Sequence, residues 1–308
     1  MSNAGTLRIL GGVDASGNGV SVGIEGGVQG SADMSSPYLD ATGLTVVPGF
    51  IDIQINGAYG HDFTDDPDSM WVVGERLPET GVTSFCPTII TSPDGTIERA
   101  QEAIAARPSG YRGAEPIGLH IEGPHISRAK RGTHPADLLQ PPADASFTTE
   151  HVTIVTVAPE LDGAIELIER LAGEVVVAIG HSAANATEAT AAIDAGATLG
   201  THLLNAMPPI KAREPGIAGV LLSDARTHFG VISDGRHHHP STLALMWNAA
   251  PDRFIAITDA MAASGMPDGD YSIGPVDVAL HDGVVTNAEG TLAGAASLLD
   301  RNLRILMD

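Results

Sequence analysis

"GLHIEGPHIS", residues 118–127, is an apolar run that closes on a glutamate, a Gly-Pro turn and a second histidine. With the preceding residue, Ile117, Leu119 and Ile121 alternate with Gly118, His120 and Glu122, which is the period of a β-strand. Residues two apart on a strand share a face, so His120 and Glu122 point to one side. Gly123-Pro124 stops the strand. Glu122 is therefore expected on the last residue of a buried strand. A carboxylate there is costly unless it is paired, hydrogen-bonded or bound to a metal.

The same texture recurs on either side. The apolar runs are "GFIDIQ" (49–54), "GVTSFCPT" (81–88), "IGLHIEG" (117–123), "VTIVTVAPE" (152–160), "VVVAIGH" (175–181), "ATLGTH" (197–202), "HFGVISDG" (228–235) and "RFIAITDA" (253–260). Their starts lie roughly 20 to 35 residues apart, with Ala-rich helical segments such as "SAANATEATAAIDAGA" between them, the spacing of a strand–helix repeat. Eight such units predict an α/β protein, a (β/α)8 TIM barrel. Nearly every run ends in a polar residue: Gln54, Thr88, Glu122, Glu160, His181, His202, Asp234 and Asp259. In this barrel the strands' C-terminal ends build the active site, so these residues are expected to ring one mouth. An open doubly wound sheet is the alternative, but neither Gly-rich phosphate-binding fingerprint occurs.

Residues 5–47, rich in Gly, Val and Ser, read as a small β domain and residues 48–308 as the barrel domain. "VDVALHDGVVTNAEGTLAG" (276–294) reads as a hairpin about Asp282-Gly283, and "SLLDRNLRILMD" (297–308) as an amphipathic helix. The opening Met1-Ser2-Asn3-Ala4 reads as an expression remnant. The 308 residues are 43% hydrophobic and 18% charged, which suits a folded core. A net charge of −22 argues against nucleic acid or an anionic membrane as partner, while leaving room for a small anion met by local donors. The single Cys86 excludes an intrachain disulfide and suits a reducing cytosol; with no long apolar run and no signal peptide, a cytoplasmic location is expected. Asn185-Ala186-Thr187 matches a glycosylation acceptor by chance on that reading.

Glu122, His181 and His202 end three different strands, and two histidines with a carboxylate and an open position form a common catalytic zinc set. Asp259, ending the eighth run, is placed to take a proton from water beside the metal. His134 lies in the loop after Glu122, beside Lys130 and Arg131, which read equally well as ordinary surface charges. Of the three histidines in "GRHHHP" (235–240), at most one is expected at the mouth and the rest in a solvated loop. His61 and His125 read as ordinary core or surface residues.

"PGFIDIQING", "GLHIEGPHIS", "KRGTHPADLL", "VTVAPE", "GHSAANATEATAAIDAGATLGTHLLNAMPP", "REPGIAG", "ISDGRHHHP", "ITDAMAASG" and "GTLAGAA" occur in that order. Together they resemble the N-acetylglucosamine-6-phosphate deacetylases of the amidohydrolase superfamily, from about Val47 onward. The resemblance implies metal-dependent hydrolysis of the N-acetyl group of N-acetylglucosamine-6-phosphate. It implies that Glu122, His181 and His202 hold a divalent metal, zinc or iron, and that Asp259 is general base and then acid. His134 would polarise the acetamide carbonyl. Asn205, the backbone at Ala206, Arg213 and His237 would meet the phosphate, part of that site coming from the neighbouring subunit of a homodimer. Leu292, Ala293 and Gly294, in "TLAG", would lie along the sugar. Many amidohydrolases end the first strand with His-x-His and hold a second metal; Gln54-Ile55-Asn56 stands there, and neutral amides are poor ligands, so one metal per subunit is expected. The chain is also shorter at its C-terminus than the family, so an incomplete small β domain is expected. The alternatives are another amidohydrolase, acting on a cyclic imide, a dipeptide or a different acylated amino sugar, and a non-catalytic sugar-phosphate-binding protein.

Overall fold

The computed structural model describes residues 6–25, 28–30 and 35–308. Met1–Ala4, Gly5 at the start of the small β domain and Gly26-Gly27 at the end of its second predicted strand lie outside the described residues. The chain divides into two compact units, Met1–Gly49 and Phe50–Asp308. The first carries strands Leu7–Val13, Gly19–Glu25, Val28–Gly30 and Tyr38–Asp40. Leu7–Val13 pairs antiparallel with the second strand and parallel with the fourth, and its register shifts at Gly11, whose φ of 82° suits glycine.

The second unit contains the eight expected strands: β1 (Phe50–Ile55), β2 (Val82–Ile90), β3 (Leu119–Glu122), β4 (Val152–Val157), β5 (Val176–Ile179), β6 (Leu199–Gly200), β7 (His228–Ile232) and β8 (Phe254–Ile257). Each pairs parallel with the next in chain order. The barrel closes where the Asp259 amide donates to the Gln54 carbonyl at 2.9 Å and the Asn56 amide to the Ala260 carbonyl at 2.7 Å. Helices α1 (Ser69–Arg76), α2 (Thr96–Ala105), α3 (Ala164–Leu171), α4 (Ala186–Asp194), α5 (Gly216–Ser223), α6 (Pro240–Ala249) and α7 (Leu299–Met307) cover it. The β3–β4 connection carries no α-helix; short 3₁₀ turns at Arg128–Lys130 and Pro142–Asp144 shape a long loop instead.

The alternation read from residues 117–123 is real but begins later. Gly118 has φ 125°, which breaks the extended backbone, and Ile117 is exposed. From Leu119 on, Leu119 and Ile121 join the apolar core that holds Leu167 and Ile168 of α3. His120 and Glu122 go the other way, into the barrel. His120 Nε2 lies 2.8 Å from Thr156 Oγ1, itself 2.8 Å from Thr201 Oγ1, and Nδ1 donates to the Ile53 carbonyl at 3.2 Å. Burial holds this imidazole neutral, its pKa pushed down to about 4. His120 is thus a polar plug one layer beneath Glu122. Asp52, also inside, accepts from the Thr258 amide and hydroxyl and ties β1 to β8. On β8's outer side, the buried Asn302 of α7 donates to the Ile257 carbonyl at 3.0 Å.

A three-stranded antiparallel sheet follows the barrel, with strands Gly269–Ile273, Val276–His281 and Val284–Asn287. Its hairpin turns at Asp282-Gly283, both left-handed at φ 49° and 74°, as an Asp-Gly turn requires. No helix among the described residues is long and apolar enough to cross a membrane.

Candidate active site

A cavity of about 420 Å³ opens at the C-terminal mouth of the barrel, walled by Asn56, Glu122, His134, His181, His202, His237 and Asp259. A larger recess of about 900 Å³ is lined by Asp65, Asp66, Asp270 and Asp277 but gathers no cluster of imidazoles. The chemistry therefore belongs to the smaller one.

Three of the strand-end residues sit on left-handed backbone: His181 at φ 46°, His202 at 25° and Asp259 at 51°. Non-glycine residues hold this conformation only where their surroundings enforce it. At Asp259 the enforcement is visible. Its amide is bonded to Gln54, its carbonyl accepts from Ala295, and the Thr258 hydroxyl accepts from the Ala260 amide while bonded to Asp52. The sharp turn swings each side chain from the barrel wall into the mouth.

Glu122 Oε1 lies 2.9 Å from His202 Nε2 and 3.2 Å from His181 Nε2, and the two nitrogens are 3.0 Å apart. His181 Nδ1 donates to the Lys130 carbonyl at 2.9 Å, so its Nε2 turns a lone pair toward the cluster. A carboxylate oxygen and two imidazole nitrogens, buried and within 3.2 Å of one another, fit a shared divalent cation. Glu122, His134 and His181 also bring ligand atoms within 4.8 Å of one another. His134 differs in its protonation. The Thr91 amide donates to its Nδ1 at 3.3 Å and Thr91 Oγ1 lies at 2.8 Å. An amide can only donate, so Nδ1 is the unprotonated nitrogen, and burial drives the pKa down to about 3. The neutral ring then carries its hydrogen on Nε2. Gly123 permits this pairing: a Cβ there would stand 2.1 Å from Thr91 Oγ1.

Gln54 and Asn56 face the carboxylates with their amide hydrogens. Gln54 Nε2 donates to Glu122 Oε1 at 2.9 Å, and Asn56 Nδ2 to Asp259 Oδ1 at 2.8 Å. Burial, with Glu122 nearby, raises the Asp259 carboxyl to about 6.

The polar ring read from the strand ends divides in two. Thr88 accepts from the Ile55 amide inside the barrel. Glu160 braces the turn after β5 by accepting from Ser182 Oγ at 2.7 Å and the Ala183 amide at 2.6 Å. Asp234 accepts from the Arg236 and His237 amides and from His237 Nδ1 at 2.9 Å.

The three consecutive histidines do three different things. His237 lines the cavity. His238, expected in solvent, is buried and neutral, with its pKa lowered by burial to about 4, and its Nε2 accepts from Asn205 Nδ2 at 3.2 Å. His239 caps α6 by accepting from the Ser241 amide. His125 is buried, its ring stacked on Phe147, and His61 lines the larger recess.

The Asn205 amide nitrogen is spent on His238 and on the His202 and Leu203 carbonyls, so this side chain braces its loop while Asn205 and Ala206 still line the cavity. Thr291, Leu292 and Gly294 line it too; Ala293 is buried behind them. Arg213 is exposed and stands outside the cavity wall.

A parallel eight-stranded barrel with a buried carboxylate–imidazole cluster at its mouth has the build of a metal-assisted hydrolase. No family model matches the chain. The N-acetylglucosamine-6-phosphate deacetylase of Rattus norvegicus is 39% identical over 285 residues, covering 86% of this chain and 69% of the relative. An N-acetylgalactosamine-6-phosphate deacetylase of Escherichia coli O157:H7 is 37% identical over 270 residues, covering 85% and 72%. Among solved structures, a mutant N-acetyl-D-glucosamine-6-phosphate deacetylase from Mycobacterium smegmatis, in complex with N-acetyl-D-glucosamine-6-phosphate, superposes with a TM-score of 0.86 at 31% identity, covering 99% of this chain and 83% of that one. The chain belongs to the N-acetylglucosamine-6-phosphate deacetylase family.

Proposed function

We propose that this protein hydrolyses the acetamide of N-acetylglucosamine-6-phosphate to glucosamine-6-phosphate and acetate, as a cytoplasmic step of amino-sugar breakdown. The observation that carries the reading is the single cavity in which Glu122, His181 and His202 converge beside Asp259 and His134. We assign Glu122, His181 and His202 to one divalent ion, zinc as first expectation. A divalent ion there supplies Lewis acidity and makes water a nucleophile near neutral pH. The amide hydrogens of Gln54 and Asn56 point at the carboxylates, which favours one ion over two.

Asp259 takes the proton of the attacking water as the C–O bond forms, and returns it to the amine as the C–N bond breaks. His134 Nε2–H donates to the carbonyl oxygen as it gains charge. Asn205, the Ala206 backbone and His237 form the phosphate end within the chain. Arg213, exposed and outside the cavity, reaches the phosphate of a neighbouring subunit in a homodimer. Leu292, Ala293 and Gly294 form the wall along the sugar, Ala293 from behind.

The relative named for N-acetylgalactosamine-6-phosphate, of nearly equal identity, supports a second reading in which the epimeric sugar is the substrate. Acetate release from both epimers, with and without the 6-phosphate, together with an acylated dipeptide and a cyclic imide, tests the assignment. A preference for the phosphorylated gluco sugar on the order of 10² to 10⁴ in kcat/KM is expected if two charge-assisted hydrogen bonds hold the phosphate. Equal rates on phosphorylated and free sugars would overturn it.

A further inference from the structure

We infer that Lys130 is a specificity residue, supplying charge to the substrate's phosphate from within the same chain. The inference rests on the hexosamine-6-phosphate reading above. Phosphate recognition in this molecule faces an electrostatic problem. The chain carries 38 acidic against 16 basic residues, and the cavity wall includes the Glu122 and Asp259 carboxylates. Among the described residues, Lys130 is the one lysine or arginine in that wall. It forms no ion pair with a carboxylate among the described residues, whereas Arg107 and Arg226 pair with acids on the surface. Its Nζ donates to the Met207 carbonyl at 3.2 Å. An ammonium has three donors, so two are left for a ligand.

That carbonyl places the ammonium beside a stretch already shaped for an anion. Leu204 and Ala206 are left-handed, at φ 71° and 51°. A left-handed residue beside one of ordinary backbone is the arrangement from which anion-binding nests of successive amides are built, and here the Asn205 amide is taken by the His202 carbonyl. The amides of Ala206 and Met207 donate to no group among the described residues. Asn205 holds the loop in this shape through His238 and the His202 carbonyl. A fixed cation beside two unpaired amides suits a phosphate monoester, with His237 on the same wall. Lys130 has a second duty that its side chain does not perform: its backbone carbonyl orients His181. Replacing the side chain leaves that bond available.

The experiment is steady-state kinetics of the metal-loaded protein and its Lys130→Met and Lys130→Arg variants on N-acetylglucosamine-6-phosphate and N-acetylglucosamine, with inorganic phosphate as competitive inhibitor. Lys130→Met should lower the preference for the phosphorylated sugar by about 10- to 100-fold, through KM and not kcat, and weaken phosphate inhibition by a similar factor. Lys130→Arg should recover much of the preference, and metal content should match the parent in both. A parent that prefers the phosphorylated sugar and a Lys130→Met variant that keeps the same preference would overturn the assignment of Lys130 alone. A parent without preference would overturn the substrate reading and this inference with it.

Discussion

At the scale of single residues, His134 and His181 are neighbouring imidazoles with opposite assignments, decided by one hydrogen bond each. His181 gives its Nδ1 hydrogen to a carbonyl and keeps a lone pair at Nε2; His134 receives an amide hydrogen at Nδ1 and keeps its own at Nε2. His181→Asn should therefore lose metal and activity together, measured by elemental analysis beside acetate release. Asp259→Asn should keep metal and bind substrate while turnover falls by at least about 100-fold, since general acid–base catalysis contributes about 10² to 10⁴. Turnover within about tenfold of the parent would remove Asp259 from proton transfer. That Glu122, His181, His202 and Asp259 meet at one mouth was legible because each closes an apolar run; that Thr88, Glu160 and Asp234 are spent on bonds to the fold was not. Lys130 and His238 were not, because the conformation of irregular loops decides whether such residues face solvent, protein or cavity. Periodicity carries no signal for that.

At the scale of elements, all eight apolar runs are barrel strands, because a strand buried on both faces needs an apolar run whichever way its side chains point. Their limits were less legible. "ATLGTH" yields only Leu199–Gly200 as strand, and the run at 117 starts two residues late behind the left-handed Gly118. Backbone torsion sets these limits, and only glycine hints at it in sequence. The Asn185 side chain, whose sequon reads as chance, caps α4 by accepting from the Thr187 and Glu188 amides, and Glu188 returns the bond to the Asn185 amide. Asn185→Ala should cost about 1 kcal/mol in chemical denaturation, the usual worth of such a cap. Gly123→Ala tests an element junction: a Cβ would clash with Thr91 and strain a left-handed backbone at φ 96° beside Glu122, so acetate release should fall and metal content with it.

At the scale of the whole molecule, the barrel is closed by polar groups in its interior as well as by apolar packing outside. Burial raises Asp52 from 3.8 to about 7, a change that its hydrogen bonds with Thr258 only partly oppose. For an acid whose pKa rises on folding, the folded state binds the extra proton between the two values, so this contribution to stability falls as pH climbs from about 4 to about 7. Asp52→Asn should flatten that part of the pH–stability curve, followed by urea denaturation at several pH values. The parallel closure was legible from the number of runs and their polar ends; the interior ties of Asp52 and His120 were not, because strand alternation says which face a side chain takes but not which partner it meets there. On the proposed mechanism, one bound divalent ion, held by Glu122, His181 and His202, serves hydrolysis of a hexosamine-6-phosphate acetamide. Metal-stripped protein titrated with zinc, with acetate release from N-acetylglucosamine-6-phosphate followed at each addition, tests it most directly. Activity should rise from near zero and level off at one equivalent per chain. A rise that continues to two equivalents, or full activity in the stripped protein, would overturn the one-ion mechanism.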